Sequence, residues 1–308
     1  MRATRALAAA TLTVTAVAGG CARPGTTAEP SVVAAVPWQQ TYAEIIEQMS
    51  GTPQQRQAGT DRQWYAWQAA LGECMAGMGA PFELPAHTTP PATPNSLITP
   101  GELLAFAPRR TDFGLAASMV ALAEAGEQDN PALLKTAGAD REAWVAAQNA
   151  CAPATARTED LAVPGSQARV AEALDLLLLD VQNRAAPSLG ADYMTCMSRE
   201  GVPVSEGVAS EARIAALNKY PPLSAAGANN PSSVPGWTEA LAFEKKAAAA
   251  DWKCRGPQVP RVQVAVGDKL AVFAEEHRDE LARVAADWAR MPAERDAAKA
   301  AAMKVVTK

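Results

Sequence analysis

Histidine is almost missing from this sequence. His87 and His277 are the only two among 308 residues, which excludes a histidine-rich metal centre. Close cysteine pairs are missing as well: the five cysteines, at 21, 74, 151, 196 and 254, stand tens of residues apart. Zinc knuckles need C-x₂₋₄-C and thiol redox sites need CxxC, so neither chemistry fits. HExxH, GxSxG and GxxxxGK[ST] do not occur, and GMGAPF at Gly77 follows a helix-like stretch and lacks the third glycine of a dinucleotide fingerprint. Aromatic residues make up only 5% of the chain. Beyond the extreme N-terminus no apolar run approaches the roughly 18 residues that cross a bilayer. Period-two β-branched runs are equally scarce, and only Arg261 to Val266, RVQVAV, could form a short strand. Net charge is −5 with no basic cluster, so nucleic acid is excluded as a general partner. No cofactor is called for.

What the sequence does have is alanine, 70 residues of it, and 23 prolines within a 48% hydrophobic composition. The length supports one large core or two modest ones, and the small side chains predict a thin helical core. Arg2 and Arg5 precede a mildly apolar run from Ala6 to Ala18, then Gly19 and Gly20, then Cys21. This is the form of a secretory signal peptide over residues 1–20. Small residues directly before a cysteine resemble a bacterial lipobox, in which the cysteine takes a diacylglycerol thioether and becomes the mature first residue. Ala18 stands where the lipobox usually has leucine, and an ordinary signal peptide cleaved near Cys21 is the alternative. Residues 21–38, rich in Pro, Thr and Ala, read as a lipid-anchored flexible tether. Cleavage removes Arg2 and Arg5, making the formal charge more negative still. Membrane attachment then comes from covalent lipid on Cys21 rather than from electrostatics, and it persists only if several acyl chains act together.

Setting Cys21 aside leaves four cysteines, the even number expected of a disulfide-bonded exported chain. Parity alone permits three pairings. An internal repeat narrows them: Cys74 opens CMAGMGAP and Cys196 opens CMSREGVP, both C-M-x-x-x-G-x-P. Each follows a helical stretch, precedes proline-rich irregular chain, and is answered by an alanine-rich segment ending in a second cysteine, DREAWVAAQNAC or EALAFEKKAAAADWKC. The simplest assignment is one bond within each unit, Cys74–Cys151 and Cys196–Cys254. Gly79 and Gly201 can take the left-handed conformation that ends a helix, and Pro81 and Pro203 block its continuation, so the motif reads as a helix stop beside a staple.

The same residues carry a family resemblance. Cys196, Met197, Gly201, Pro203, Asp251 and Cys254 resemble a pattern in uncharacterised exported lipoproteins of high-GC Gram-positive bacteria. The first unit keeps Cys74, Met75, Gly79, Pro81 and Cys151 but has Gln148 where the second has Asp251. The resemblance implies a cell-envelope location, lipid-anchored on the outer face of the cytoplasmic membrane, and supplies no activity.

Thr52-Pro53-Gln54-Gln55, Thr60-Asp61-Arg62-Gln63 and Thr99-Pro100-Gly101-Glu102 have the capping-box form. Helices are expected near 39–50, 61–77, 100–107, 112–127, 139–151, 166–184, 191–200, 207–218, 237–254, 268–290 and 293–305. The segment 166–184 carries Val170, Leu174, Leu177 and Val181 inward, with Leu176, Leu178 and Leu179 predicting cover on more than one side. The resulting expectation is an all-α, irregular helical bundle built from two related disulfide-stapled units with Pro-rich loops. The first unit would occupy 39–184 with an N-terminal helix, the second 185–290, and a loosely packed C-terminal helix 291–308.

Candidate chemistry is thin. His277 lies on an apolar seam, where a partly buried, hydrogen-bonded histidine is expected, and His87 lies in the loop PAHTTPP with no carboxylate nearby in sequence, where an exposed one is expected. Trp67, Trp144 and Trp288 have core spacing. Trp64, Trp237 and Trp252, with Asp251, are the candidates for a surface that binds glycan or peptide. The expected function is therefore a non-enzymatic envelope lipoprotein offering a binding or structural surface to an envelope protein or the cell wall. An envelope glycan or peptide hydrolase using paired carboxylates is the alternative.

Overall fold

The computed structural model describes residues 37–87, 103–125, 130–158, 160–221 and 231–306. Cys21, the expected signal segment, most of the expected tether and the Thr99 capping sequence lie outside them. Twelve α-helices follow one another with no strand among the described residues: α1 Pro37–Ser50, α2 Pro53–Gly77, α3 Leu115–Ala125, α4 Pro131–Leu134, α5 Gly138–Ala150, α6 Ala152–Thr155, α7 Gln167–Ala185, α8 Leu189–Arg199, α9 Ala209–Leu217, α10 Trp237–Arg255, α11 Val259–Glu276 and α12 Arg278–Val306. The all-α bundle expected from the sequence is the fold observed.

Both disulfides join the ends of helices. Cys74 at the end of α2 bonds Cys151 after α5, and Cys196 in α8 bonds Cys254 near the end of α10, with Cα–Cα separations of 5.7 and 5.5 Å. The loops they close span 77 and 58 residues. The chain-entropy model assigns roughly 4 kcal/mol to each closure.

The repeated motif has one physical explanation in both units. Gly79 and Gly201 adopt φ of 71° and 72°. The Gly79 amide donates to the Ala76 carbonyl and the Ala80 amide to the Met75 carbonyl; Gly201 and Val202 donate likewise to Ser198 and Met197. These paired bonds define a Schellman stop, in which the residue after the glycine packs on the residue three before the cap. Met75, Met197 and Val202 are accordingly buried. The chain then folds back along the helix it has left. Phe82 reaches Gly72, and in the second unit Gly207 meets Gly190 so closely that an added Cβ on Gly207 would lie 2.6 Å from the Gly190 Cα.

The two units do not make two domains, because the residues from Pro37 onward cluster as one body. A single large core runs from Ile45 and Met49 in α1 through Leu174 and Leu178 in α7, Tyr193 and Met197 in α8 and Ala247 in α10, to Leu270 in α11 and Trp288 in α12. The first unit adds a smaller cluster of Leu71, Met75, Leu133, Trp144, Ala147 and Cys151, with Trp67 half-buried against it. Each fully buried Leu-sized side chain contributes about 1.5–3 kcal/mol.

Several expectations are corrected. The C-terminal segment is not loosely packed: α12 continues through Pro292 and lies along α2. Arg62 pairs with Glu294, Lys299 sits over the Tyr65 ring, and an added Cβ at Gly72 would strike Val305. Residues 261–266 are helical, since the sequence around them buries Val262 and Val266 at helical spacing. The helix expected over 268–290 breaks at His277, which caps α11. Thr52 forms the capping box, whereas Thr60 lies inside α2 with its hydroxyl donating to the Arg56 carbonyl. Residues 103–107 form turns, and Leu176 and Leu179 are exposed, so α7 is not covered all round.

Candidate functional site

The tryptophans expected to share a surface stand in three separate environments. Trp237 is buried edge-on against Tyr220, with ring centroids 4.9 Å apart, which removes it from the surface. Trp64 stacks on His87 at 4.1 Å. Trp252 has two guanidinium groups over its ring, Arg255 at 5.0 Å and Arg109 at 5.6 Å from the centroid. Asp251 is buried, not surface-exposed.

The burial of Asp251 follows from Arg255, one helical turn later on α10 and fully buried. Arg255 Nε donates to both Asp251 oxygens at 2.9 Å. Its other nitrogens donate to the carbonyls of Leu104 (3.1 Å), Ala107 (2.5 Å) and Pro108 (2.8 Å). Tyr193 on α8 completes the set by donating its hydroxyl to Asp251 at 3.0 Å. Burial, and then the neighbouring Asp251 charge, push the Tyr193 phenol well above its ordinary range. A buried charge requires this degree of pairing, because leaving it unpaired costs several kcal/mol.

Two turns before Asp251 on the same helix, Glu244 does the complementary work. Its buried carboxylate accepts the Phe113 and Leu115 amides at 2.8 and 2.9 Å, the Ala116 amide at 3.4 Å and the Tyr220 hydroxyl at 2.5 Å. The amides belong to the entry of α3, where unpaired donors and the helix dipole favour an anion. The Tyr220 phenol is raised by burial and then by this bond. Residues 104–116 are thus laid along α10 and held by their main chain: Arg255 takes carbonyls and Glu244 takes amides. These hydrogen bonds run to main-chain atoms of the held segment, while its Leu104, Ala105, Phe113 and Leu115 side chains are buried in the core and Arg109 reaches the Trp252 ring.

In the first unit the matching face of α5 is open. Counting from the disulfide cysteine, Glu244, Ala248, Trp252 and Arg255 correspond to Arg141, Val145, Asn149 and Ala152. Ala248 is buried, whereas Val145 is 39% exposed, and Arg141, Asn149 and Ala152 are exposed. Arg141, Glu142, Val145, Ala146 and Asn149 line a shallow depression of about 390 Å³. The opposite edge of α5 is closed: the Trp144 indole donates to the Pro81 carbonyl at 2.7 Å and so fixes the chain just after the Schellman stop.

No family model, curated protein or solved structure matches this chain.

His87 is not the exposed loop residue expected from the sequence. Folding back of residues 80–87 along α2 brings its Nε2 to 2.9 Å from Asp61 Oδ1, with both side chains mostly buried. Tyr65 meets the ring edge-on at 5.3 Å and Trp64 stacks on its face. His277 is half-buried as expected, 2.7 Å from Glu280 and against Phe273. That bond, above all, holds the Glu280 carboxyl below its usual range.

Sequence reading overlooked Glu244 and Arg255. A signal was present: with Asp251 they are spaced by seven and four on one face of a helix otherwise lined by buried Ala240, Ala247, Ala248 and Ala250. Charges on an alanine stripe point inward only if something is there to receive them.

Proposed function

We propose that this chain is an exported cell-envelope lipoprotein, acylated at Cys21, whose helical body acts by contact and not by catalysis. The observation that carries this reading is the disulfide pairing. Cys74–Cys151 and Cys196–Cys254 consume all four cysteines of the body, so that by count Cys21, directly after Gly19 and Gly20, is left over. Persistent disulfides fit an oxidising compartment. No described helix is long and apolar enough to cross a membrane, and the assignment of a lipid anchor rests on the small residues directly before Cys21. The two buried carboxylates speak against the hydrolase alternative. Glu244 is occupied by amides and a phenol, Asp251 by Arg255 and Tyr193, and both belong to structural networks.

The contact surface is best placed on the first unit. The second unit's α10 face is filled by the chain's own residues 104–116, while the corresponding α5 face offers Arg141, Val145 and Asn149 to solvent. The same helix position that holds a polypeptide segment in one unit is open to one in the other. An envelope protein or a peptide of the cell wall is the partner this supports.

The test is metabolic labelling with a radiolabelled or clickable fatty acid in the native host. Label on the parent, its loss in Cys21→Ser, and precursor accumulation under globomycin are the expected results. Unchanged processing with no lipid on the parent protein would reject the reading.

A further inference from the structure

We propose that the groove between α7 and α11 is a self-association surface, in which two copies of this chain pair about a twofold axis with their α11 helices antiparallel. The groove is a depression of about 310 Å³ lined by Leu177 of α7 and by Lys269, Val272, Phe273 and Glu276 of α11. Its centre is apolar: Val272 is 55% exposed beside buried Phe273 and half-buried Leu177. Leu176, the adjacent residue on α7, is also exposed.

The charges at its two ends say what covers it. Lys269 and Glu276 are both exposed, and neither has an ion-pair partner among the described residues. They lie seven residues apart beyond the kink at Gly267, on one stripe of straight helix about 10.5 Å long. Val272 and Phe273 sit midway between them. Rotating a second copy by 180° about an axis through this midpoint brings its Glu276 opposite Lys269 and its Lys269 opposite Glu276. The exposed Val272 of each copy then meets its counterpart in the centre, over the buried Phe273. The pattern is complementary to itself in the antiparallel sense, which is the requirement of an isologous interface. In the parallel sense it would set Lys against Lys and Glu against Glu. A heterologous partner has no need of a cation and an anion placed symmetrically about an apolar centre.

The contact is modest in size, and exposed ion pairs add little energy each. Weak, concentration-dependent pairing is therefore the form it takes. Lipid anchoring, if Cys21 is acylated, would favour it further by confining copies to one surface. The inference does not rest on that anchoring.

The experiment uses the intact exported chain, purified in detergent where acylated. Sedimentation equilibrium gives the dimer dissociation constant for the parent, Lys269→Glu, Glu276→Lys and the double reversal. Each single reversal replaces two attractive contacts by two repulsive ones and is expected to weaken the dimer about tenfold or more. The double reversal is expected to return within about threefold of the parent. Because both side chains are exposed, all variants should keep the parent circular dichroism and disulfides. Zero-length carbodiimide coupling of mixed ¹⁴N and ¹⁵N protein supplies the register: a crosslink joining Lys269 of one isotope to Glu276 of the other is expected. The proposal is overturned if the parent remains monomeric at 1 mM, if single reversals leave the dimer unchanged, or if the double reversal fails to restore it. A monomer whose groove is covered by the chain's own residues 1–36 is among those overturning results.

Discussion

Replacing Asp251 by Asn removes one negative charge and almost no volume, so it isolates the electrostatics of the α10 network. Arg255 is fully buried, and among the described residues Asp251 is the only carboxylate bonded to it. The carbonyls of Leu104, Ala107 and Pro108 would still accept from the guanidinium, but none neutralises it. Breaking a buried pair in this way costs about 3–5 kcal/mol. At about 2–4 °C per kcal/mol for a chain of this size, the melting temperature should fall by about 6–20 °C. Arg255→Met should cost a similar amount, since it strands Asp251 with only Tyr193 as donor and frees three carbonyls. The double variant Asp251→Asn/Arg255→Met should be less damaged than the sum of the two, with a coupling of about 2 kcal/mol or more. Urea unfolding followed by circular dichroism, with disulfides intact, supplies the cycle. Hydrogen exchange supplies the location: amides of residues 103–116 should lose protection before those of α7. A stability for Asp251→Asn within about 0.5 kcal/mol of the parent, or strict additivity in the cycle, would refute the assignment of Arg255 as a buried, charge-compensated clamp.

Other consequences are as direct. Glu244→Ala should expose three orphaned amides at the start of α3 and cost about 2–3 kcal/mol, with faster exchange at Phe113, Leu115 and Ala116; unchanged exchange there would count against the clamp. Gly59→Ala places a Cβ 2.1 Å from the Ala162 carbonyl oxygen and should destabilise severely, whereas Gly77→Ala meets nothing within 4 Å and should gain up to about 1 kcal/mol from helix propensity, so thermal melts of the pair should move in opposite directions. Tyr42, Tyr193 and Tyr220 are each raised above the ordinary tyrosine range, by burial first and then by Asp175, Asp251 and Glu244 respectively. Their contribution to stability is fully present below the unfolded value near 10 and is lost as pH rises through the folded values. Absorbance at 295 nm should therefore show three of the four tyrosines ionising only together with alkaline unfolding, and reversible ionisation of two or more in folded protein near pH 10 would disprove this.

Much of this fold was written in local patterns. The helix stop at Gly79 and Gly201 is legible because a left-handed backbone favours glycine and a following proline forbids continuation. The pairing of Cys74 with Cys151 and Cys196 with Cys254 followed from the duplication of that stop, and α7 declared itself by the spacing of Val170, Leu174 and Val181. Order and parity also set Cys21, with the small residues before it, apart from the four cysteines of the body.

Other features depended on which surfaces met. Nothing local to His87 indicates Asp61, 26 residues away, because the contact exists only once the chain turns back along α2. Asp251 and Arg255 look like one more exposed pair one turn apart until residues 104–108 cover them. The C-terminal helix reads as a polar, alanine-rich tail, yet it is fixed by the small faces of Gly72 and Ala302 and by a salt bridge from Arg62. Local sequence determined where helices begin, end and are stapled, because capping, backbone conformation and cysteine parity act over a few residues or by counting. Tertiary structure decided which charges are buried and which faces are free, because the energy of a charge depends on what displaces water around it, and on α10 that is a segment more than 100 residues away.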